Sequence, residues 1–368
     1  LHTSGTTGNA KGIVRDNGGH AVALALSMDL IYGCKPGDTF FTTSDFGWVV
    51  GHSYGVYAPL ISGCTSVIVE GGVSTAAVRT ICHEHAVKCL FTTPTQMRLL
   101  RQESRHLPKA IFPELAHIFV AGEYADPTLL DWARSYFCKP VVNHWWQTET
   151  GWSITAHFFG LPEVEPVSLM NDIGRPAPGF HPAIIPTTLG EPCGEIVLSL
   201  PLPPGCLAGI WRDRKSHVPT FYIDETGRYY RTFDEGMSDE SHAVHMLGRS
   251  DDVIKVAGRR ISGVQIEKII AAHPAVHACA VVAVSDELRG QRPVAYVVTD
   301  PDFAAPSVEE IIGQVHQMLG RWVGIKEVHF VGRLPTTISG KITRKSLNVS
   351  SDVAEKSPVP SVSDGFTI

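Results

Sequence analysis

Charged side chains are scarce in this 368-residue chain, at 18% against the ~25% of an average soluble protein, which excludes intrinsic disorder for most of its length. Basic excess is missing too. The 31 Lys and Arg stand against 37 Asp and Glu, a net charge of −6, so the basic face of a general nucleic-acid binder is absent. No apolar run reaches the ~18–20 residues of a membrane span. The longest, 21–32, is broken by Ser27 and Asp29. The 8 cysteines (Cys34, Cys64, Cys82, Cys89, Cys138, Cys193, Cys206 and Cys279) contain no Cys-x-x-Cys pair and no tight framework, which points to free thiols in a reducing compartment. Internal repeats are not found. An initiator methionine is also lacking. The chain opens at Leu1 inside what reads as a functional loop, so it is expected to be the downstream part of a longer protein.

What is present has the pattern of an α/β layer. Short Val/Ile/Phe-rich runs at 64–70, 87–92, 117–121 and 140–144 predict strands, and 75–85, 95–104 and 127–137 between them predict helices. That alternation marks a doubly wound sheet. From 160 to 230, Pro and Gly clusters punctuate short strand candidates such as 195–200, the pattern of a small β-rich subdomain. After Asp251-Asp252 the spacing predicts a helix at 263–272, strands at 276–284 and 293–299, and a helix at 307–322. Ser307 and Glu310 have capping-box spacing, and Ile311, Val315, Met318, Leu319 and Trp322 fall on one face. The Ser/Val/Pro/Asp-rich stretch beyond Leu347 has the composition of a disordered tail.

Thr3-Ser4-Gly5-Thr6-Thr7-Gly8-Asn9-Ala10-Lys11-Gly12 is a Gly/Ser/Thr loop closed by a lysine. Glycines let backbone amides turn toward an anion, hydroxyls add donors and Lys11 adds charge, the makings of a phosphate cradle. The bland reading is a flexible linker. It is not a Walker A, which needs Gly where Ala10 stands and Ser or Thr where Gly12 stands. Ala121-Gly122-Glu123 and Asn143-His144-Trp145-Trp146-Gln147-Thr148-Glu149-Thr150-Gly151 both follow predicted strands. Ligands of open α/β sheets bind beyond the carboxyl ends of strands, so both clusters point at one cleft. The two tryptophans alone could be core, but the polar run beside them needs partners.

Three further patterns have competing readings. Gly51-His52-Ser53-Tyr54-Gly55 matches the Gly-x-Ser-x-Gly nucleophile elbow behind Trp48-Val49-Val50, which makes an α/β serine hydrolase using Ser53 a rival function. Such a short pattern recurs by chance, and 17 histidines make a partner easy to find. Cys82-His83-Glu84-His85 has metal-ligand residue types, but residues two apart face different sides of a helix, so it reads as an exposed helix end. The run 247–260, with Asp251, Asp252, Gly258 and three arginines, is either a solvated linker or a hinge that presents guanidinium groups to a phosphate.

In this order the blocks resemble the adenylate-forming (ANL) superfamily and, within it, the short-chain acyl-CoA synthetases. The resemblance spans residues 1 to about 347. It rests jointly on Asp45-Phe46-Gly47-Trp48-Val49-Val50-Gly51-His52-Ser53-Tyr54, on Trp145 to Gly151 and on Ser339-Gly340-Lys341-Ile342. It implies an α/β fold: a large doubly wound α/β domain with a β-rich subdomain, and a small mobile α+β C-terminal domain. Residues 1–250 would be the remainder of the large AMP-binding domain, 251–347 the small domain and 348–368 a flexible tail. The implied chemistry joins ATP, a short-chain carboxylate (propionate or acetate) and CoA through an acyl-adenylate, with Mg2+ on the nucleotide. By resemblance Thr3, Ser4, Gly5, Thr6, Thr7, Gly8 and Lys11 hold the β/γ-phosphates, and Gly122, Glu123 and Tyr124 flank adenine. Asn143, His144, Trp145, Trp146, Gln147 and Thr148 line the adenine and α-phosphate, and Glu149 carries Mg2+. Asp234 takes the ribose hydroxyls with help from Arg249, and Arg260 lies near the phosphates. Lys341 is the adenylation lysine and a candidate for regulatory acylation.

Val49, Ala121 and Trp146 would wall the acyl pocket, with Trp146 as its floor. Val50, Ala257, Gly258 and His316 would face CoA, Asp251 would be the hinge, and His273 matches a structural Mg2+ position. The mitochondrial matrix is the implied location, with the cytoplasm as alternative. The chain departs from the family at several points. Asn9-Ala10 stands for Lys-Pro, Phe233 for the Gly of Thr-Gly-Asp, Asn143 for Asp, and His316 and Ile338 for arginines. These losses keep open a second rival, an inactive nucleotide-binding fragment.

Overall fold

The computed structural model describes residues 1–4, 10–71, 73–104, 112–123, 125, 127–161, 173–186, 193–212, 222–238, 244–335 and 342–348. The chain divides into two compact units, one built on Leu1–Val253 and one beginning at Ile254.

In the first unit five parallel strands lie in the order Thr65–Val67, Thr39–Thr42, Val87–Thr92, His117–Val120, Val141–Asn143. Successive side chains alternate between two cores. Phe40, Cys89, Phe91, Phe119 and Val142 enter one; Phe41, Leu90, Ile118, Val120 and Val141 enter the other. A parallel sheet covered on both faces needs this double burial, which is why its strands read as near-continuous apolar runs. Helices Thr75–Glu84, Pro94–Ser104 and Pro127–Phe137 cover one face. The other face carries the helix Asn17–Leu30, started by the Asp16 carboxylate accepting from the Gly19 amide. Its buried residues His20, Ala23, Leu24, Ser27 and Met28 follow the i, i+3, i+4 spacing of an amphipathic helix.

An antiparallel sheet, Pro182–Pro186, Cys193–Ser199, Tyr229–Ser238, Val244–Arg249, forms the β-rich part. Its register slips between Ile196, opposite Asp234, and Val197, opposite Arg231, so Thr232 and Phe233 bulge out. A third sheet joins the hairpin His2–Ser4 and Ala10–Arg15 to Leu207–Ile210. In the second unit, Val276–Asp286 and Gly290–Thr299 form a long hairpin, with Glu327–Phe330 parallel on its far edge. Helices Gly263–Ala271 and Val308–Leu319 pack on one face.

Several expected elements change at their ends. The strand expected over 64–70 is only Thr65–Val67. The Ser307–Glu310 capping box forms, but the helix stops at Leu319 because Gly320 turns to φ +88°. Trp322 therefore sits in a separate turn, Arg321–Val323, and Met318 points to solvent at 69% exposure, off the buried face. The expected tail beyond Leu347 lies outside the described residues except for Asn348. Among the described residues no helix is long and apolar enough to cross a membrane.

Candidate active site

The carboxyl ends of the parallel strands gather the polar clusters. Gly122, just past Val120, has φ +96°, and a Cβ there would lie 2.4 Å from Trp48 Cη2, so the indole rests directly on the glycine. Glu123 is held from the neighbouring helix: Thr95 Oγ1 donates to it at 2.8 Å, and Arg98 Nη1 lies 3.4 Å away.

The turn after Asn143 meets the bulged strand. Asp234 Oδ2 accepts from Trp145 Nε1 (2.9 Å) and from Gln147 Nε2 (2.7 Å). Gln147 Nε2 also donates to the Thr232 carbonyl (2.7 Å), and Gln147 Oε1 accepts from Tyr230 (3.2 Å). Arg249 Nη1 donates to the same carbonyl (3.2 Å) and lies 3.5 Å from Asp234 Oδ1. Four expected site residues, Trp145, Gln147, Asp234 and Arg249, thus form one network across a long sequence separation. The bulge is what aims Asp234 inward, a common device beside active sites.

Glu149 and Lys11 approach through Tyr222. The Tyr222 hydroxyl donates to Glu149 Oε1 at 2.7 Å, and Lys11 Nζ stands 5.8 Å from the Tyr222 ring centre. Burial, then the Glu149 carboxylate, push the Tyr222 hydroxyl far above its ordinary pKa, so it stays a donor. The hairpin register pairs Thr3 with Lys11 and Ser4 with Ala10. Gly5, Thr6, Thr7 and Gly8 lie outside the described residues, as do Tyr124 and Lys341.

Trp146, Val49, Val50 and Ala121 share one buried apolar cluster, and Trp146 packs edge-on against Tyr54 (5.4 Å, 87°). His144 turns away from the nucleotide-lining position expected of it and into the core. Val120 O can only accept, so His144 Nδ1 carries the proton toward it (2.9 Å) and Nε2 accepts from the Tyr32 hydroxyl (3.0 Å). Burial lowers His144 to about 3, so the ring is neutral.

No sequence pattern marks Arg15. Its Nη2 donates to the Thr148 carbonyl under the Gln147–Gly151 turn, and a Cβ at Gly151 (φ +77°) would lie 2.4 Å from Nη1. Its buried Nε and Nη1 have no partner among the described residues. A lone arginine in Val14-Arg15-Asp16 carries no sequence signal; only the fold places it beneath Glu149.

The expected CoA and hinge residues fall mostly in the second unit. Ala257 and Gly258 form an exposed left-handed turn, φ +49° and +82°. Asp251 lies in the short turn Ser250–Asp252 and Arg260 in strand Arg259–Ser262, their side chains outside the description. His316 is half-buried, its Nε2 without a partner among the described residues. His273 Nδ1 accepts from the Ala275 amide (3.2 Å), and its carbonyl accepts from the Val276 amide (3.0 Å). Among the described residues no cluster of three or more His, Cys, Asp or Glu could hold a metal.

The hydrolase reading fails on geometry. Ser53 is fully buried inside the helical turn Gly51–Tyr57, not exposed on a strand-to-helix elbow. Its Oγ donates to the Gly151 carbonyl (3.4 Å) and lies 3.5 Å from His20 Nε2. Burial, then Arg15, lower His20 to about 4, and His20 Nδ1 has no orienting partner among the described residues.

Comparison with known proteins agrees. The AMP-binding enzyme family profile matches residues 1–207, and the AMP-binding enzyme C-terminal domain profile matches 265–341. The human acyl-CoA synthetase short-chain family member 3, mitochondrial, is 41% identical over 362 residues, covering 95% of this chain and 52% of that protein. The propionate–CoA ligase of Escherichia coli is 38% identical over 380 residues, covering 99% of this chain and 60% of its own length. The chain therefore spans little more than half the length of the curated relatives it matches. Among solved structures, ATP-bound MatB from Rhodopseudomonas palustris matches with a TM-score of 0.81 at 22% identity, over 95% of this chain and 67% of that one. The anthranilate CoA ligase AuaEII in complex with anthranoyl-AMP matches at 0.79 and 21% identity, over 94% and 66%. At that identity the structural likeness speaks for the fold.

Proposed function

The chain belongs to the AMP-binding enzyme family, and we propose that the protein carrying it is an AMP-forming short-chain acyl-CoA synthetase. In the first half-reaction a carboxylate oxygen of propionate or acetate attacks the α-phosphorus of ATP, pyrophosphate leaves, and an acyl-adenylate forms. In the second, the CoA thiol attacks the acyl carbon, its proton is lost and AMP departs. The observation that carries this reading is the network joining Trp145, Gln147, Asp234 and Arg249 next to Glu149 and Lys11. It supplies a buried carboxylate for hydroxyl groups beside two charges of opposite sign for a metal–phosphate group. The names of the human and Escherichia coli relatives support the substrate class.

Glu149 fits Mg2+ of the nucleotide: it is partly exposed, with Oε1 engaged by Tyr222, and Mg2+ takes one or two carboxylates plus substrate phosphates. The ion would neutralise phosphate charge there. Lys11, and Lys341 by resemblance, supply the remaining positive charge, Lys341 between the attacking carboxylate and the α-phosphate. The buried Val49, Ala121 and Trp146, which share one apolar cluster, would wall the acyl pocket, with the Trp146 indole as a floor that keeps it to small acids. A small Ala121 leaves room for about one carbon beyond acetate, and a filled methylene gains roughly 0.8 kcal/mol, so propionate leads acetate only modestly. For location we favour the mitochondrial matrix, supported by the mitochondrial designation of the human and mouse relatives.

The test is carboxylate-dependent exchange of labelled pyrophosphate into ATP, followed by thioester formation with CoA, over acids of increasing length. Exchange with propionate and acetate, and none with long-chain acids, is expected. Lys341→Ala should lower exchange ~10²–10⁴-fold while thioester formation from supplied acyl-adenylate largely survives. Nucleotide binding without carboxylate-dependent exchange would establish the inactive-binder reading instead, and equal loss of both half-reactions would remove Lys341 from its role.

A further inference from the structure

The Ala257-Gly258 turn of the second unit is held by an arrangement that the family motifs do not assign. Both residues are left-handed, at φ +49° and +82°. For alanine that region is unfavourable, and nothing lies within 4 Å of where a Gly258 Cβ would sit. The turn's own packing therefore does not hold its shape. The start of the neighbouring strand does. The Arg289 carbonyl accepts from the Ala257 amide at 2.8 Å, Val256 pairs with Gly290, and Gln291 Oε1 accepts from the Lys255 amide at 2.8 Å.

Arg289 is itself fixed at both ends. Asp286 Oδ1 accepts from its amide at 2.9 Å, and its Nη1 donates to the Trp322 carbonyl at 3.3 Å. A Cβ at Gly324 (φ +71°) would lie 2.2 Å from that Nη1, so the guanidinium occupies space that only glycine leaves open. The circuit closes through Arg259, the residue after Gly258, whose guanidinium lies 5.3 Å from the Trp322 ring centre. One arginine thus ties the exposed turn to the Arg321–Val323 turn through its backbone and side chain at once.

We propose that Arg289 is a positioning residue for the thiol half-reaction: by clamping Ala257-Gly258 to the Arg321–Val323 turn, it keeps the exposed turn in the shape along which the pantetheine arm of CoA is received. This deepens the synthetase reading and rests on it. Arg289 makes no contact with reacting atoms in this scheme, so its removal separates the two half-reactions.

The experiment compares Arg289→Met, which keeps the stem but no donor, with Arg289→Lys, which restores one. Hydrogen–deuterium exchange over 254–261, with strand Val276–Asp286 as internal reference, reads the turn directly. Pyrophosphate exchange and the KM for CoA read the two half-reactions. Arg289→Met should quicken amide exchange at the turn alone, leave pyrophosphate exchange within ~2-fold and lower kcat/KM for CoA ~10-fold or more, with partial recovery in Arg289→Lys. Unchanged amide exchange at the turn, or equal loss in both half-reactions, would overturn the assignment. If the wild-type protein shows no carboxylate-dependent pyrophosphate exchange, the synthetase reading falls, and amide exchange still decides whether Arg289 holds the turn.

Discussion

Asp234 is buried, and its carboxylate accepts from Trp145 Nε1 and Gln147 Nε2 and lies 3.5 Å from Arg249. Asp234→Asn keeps the shape but replaces one acceptor with an N–H2 group, which must then face a donor, and it removes the carboxylate charge 3.5 Å from Arg249. An unsatisfied buried group of this kind costs about 1–3 kcal/mol, more where charge is involved. The variant should therefore lose several degrees of thermal stability and raise the KM for ATP; an unchanged melting temperature would show that the network relaxes freely. Gly122 offers a sharper case. Alanine there must adopt φ +96° and place its Cβ 2.4 Å from Trp48. Gly122→Ala should displace the indole and weaken carboxylate use more than nucleotide binding, read as a larger rise in KM for propionate than for ATP. At this scale the sequence was legible only in part. The family blocks identified Asp234, Gln147 and Glu149, but period and composition cannot show which way a side chain turns. His144 sits in a polar-looking run and still faces the core, and Arg15 sits in an unremarked one and lies under the site.

The element that shapes the site is the bulge in Tyr229–Ser238. Two residues, Thr232 and Phe233, are extra against the neighbouring strand, and Phe233 takes φ +58°, where the family pattern has glycine. Phe233 is retained there by contacts: it packs against the large core, its ring lies 4.9 Å from the Arg231 guanidinium and 6.1 Å from Tyr222. Comparing Phe233→Gly with Phe233→Ala isolates the backbone from these contacts, because both remove the ring. In an ordinary strand glycine is the less stable of the two by ~0.5–1 kcal/mol. At a left-handed position the order inverts, with glycine ahead by about 1 kcal/mol. Denaturant midpoints that rank alanine above glycine would show that the bulge is not what imposes the conformation. The parallel strands were legible as elements because double burial makes them continuous apolar runs. The bulge was not, since its signal is a register between two strands that periodicity in one strand does not contain.

Across the whole molecule, a group of buried histidines links the site's scaffold to pH. His117 Nε2 donates to the Tyr32 carbonyl (2.8 Å), and the ring stacks on Phe159 (4.4 Å) and is lowered to about 4 by burial, which outweighs the opposing hydrogen bond. His144 falls to about 3 and His20 to about 4, and His52 is lowered as well, each chiefly by burial. All four lie in the Leu1–Val253 unit, which also carries the Trp145–Gln147–Asp234–Arg249 network. Because their folded pKa values are below the ordinary ~6.5, the unfolded chain binds these protons first and stability rises with pH. Their contribution is complete above about pH 6.5 and is lost as pH falls toward 4. His117 and His144 each remove about 1.4 kcal/mol per pH unit below about 6.5, so together they cost roughly 4 kcal/mol by pH 5, a large share of a ~5–15 kcal/mol domain stability. Unfolding free energy measured from pH 8 to pH 5 should stay flat and then fall steeply below about 6.5. His144→Gln tests the assignment to a particular ring, since an amide can still donate to Val120 O and accept from Tyr32 without titrating. That variant should lose close to one proton's worth of slope, about 1.4 kcal/mol per pH unit. A slope unchanged by His144→Gln would mean that the acid sensitivity of this unit has its origin elsewhere.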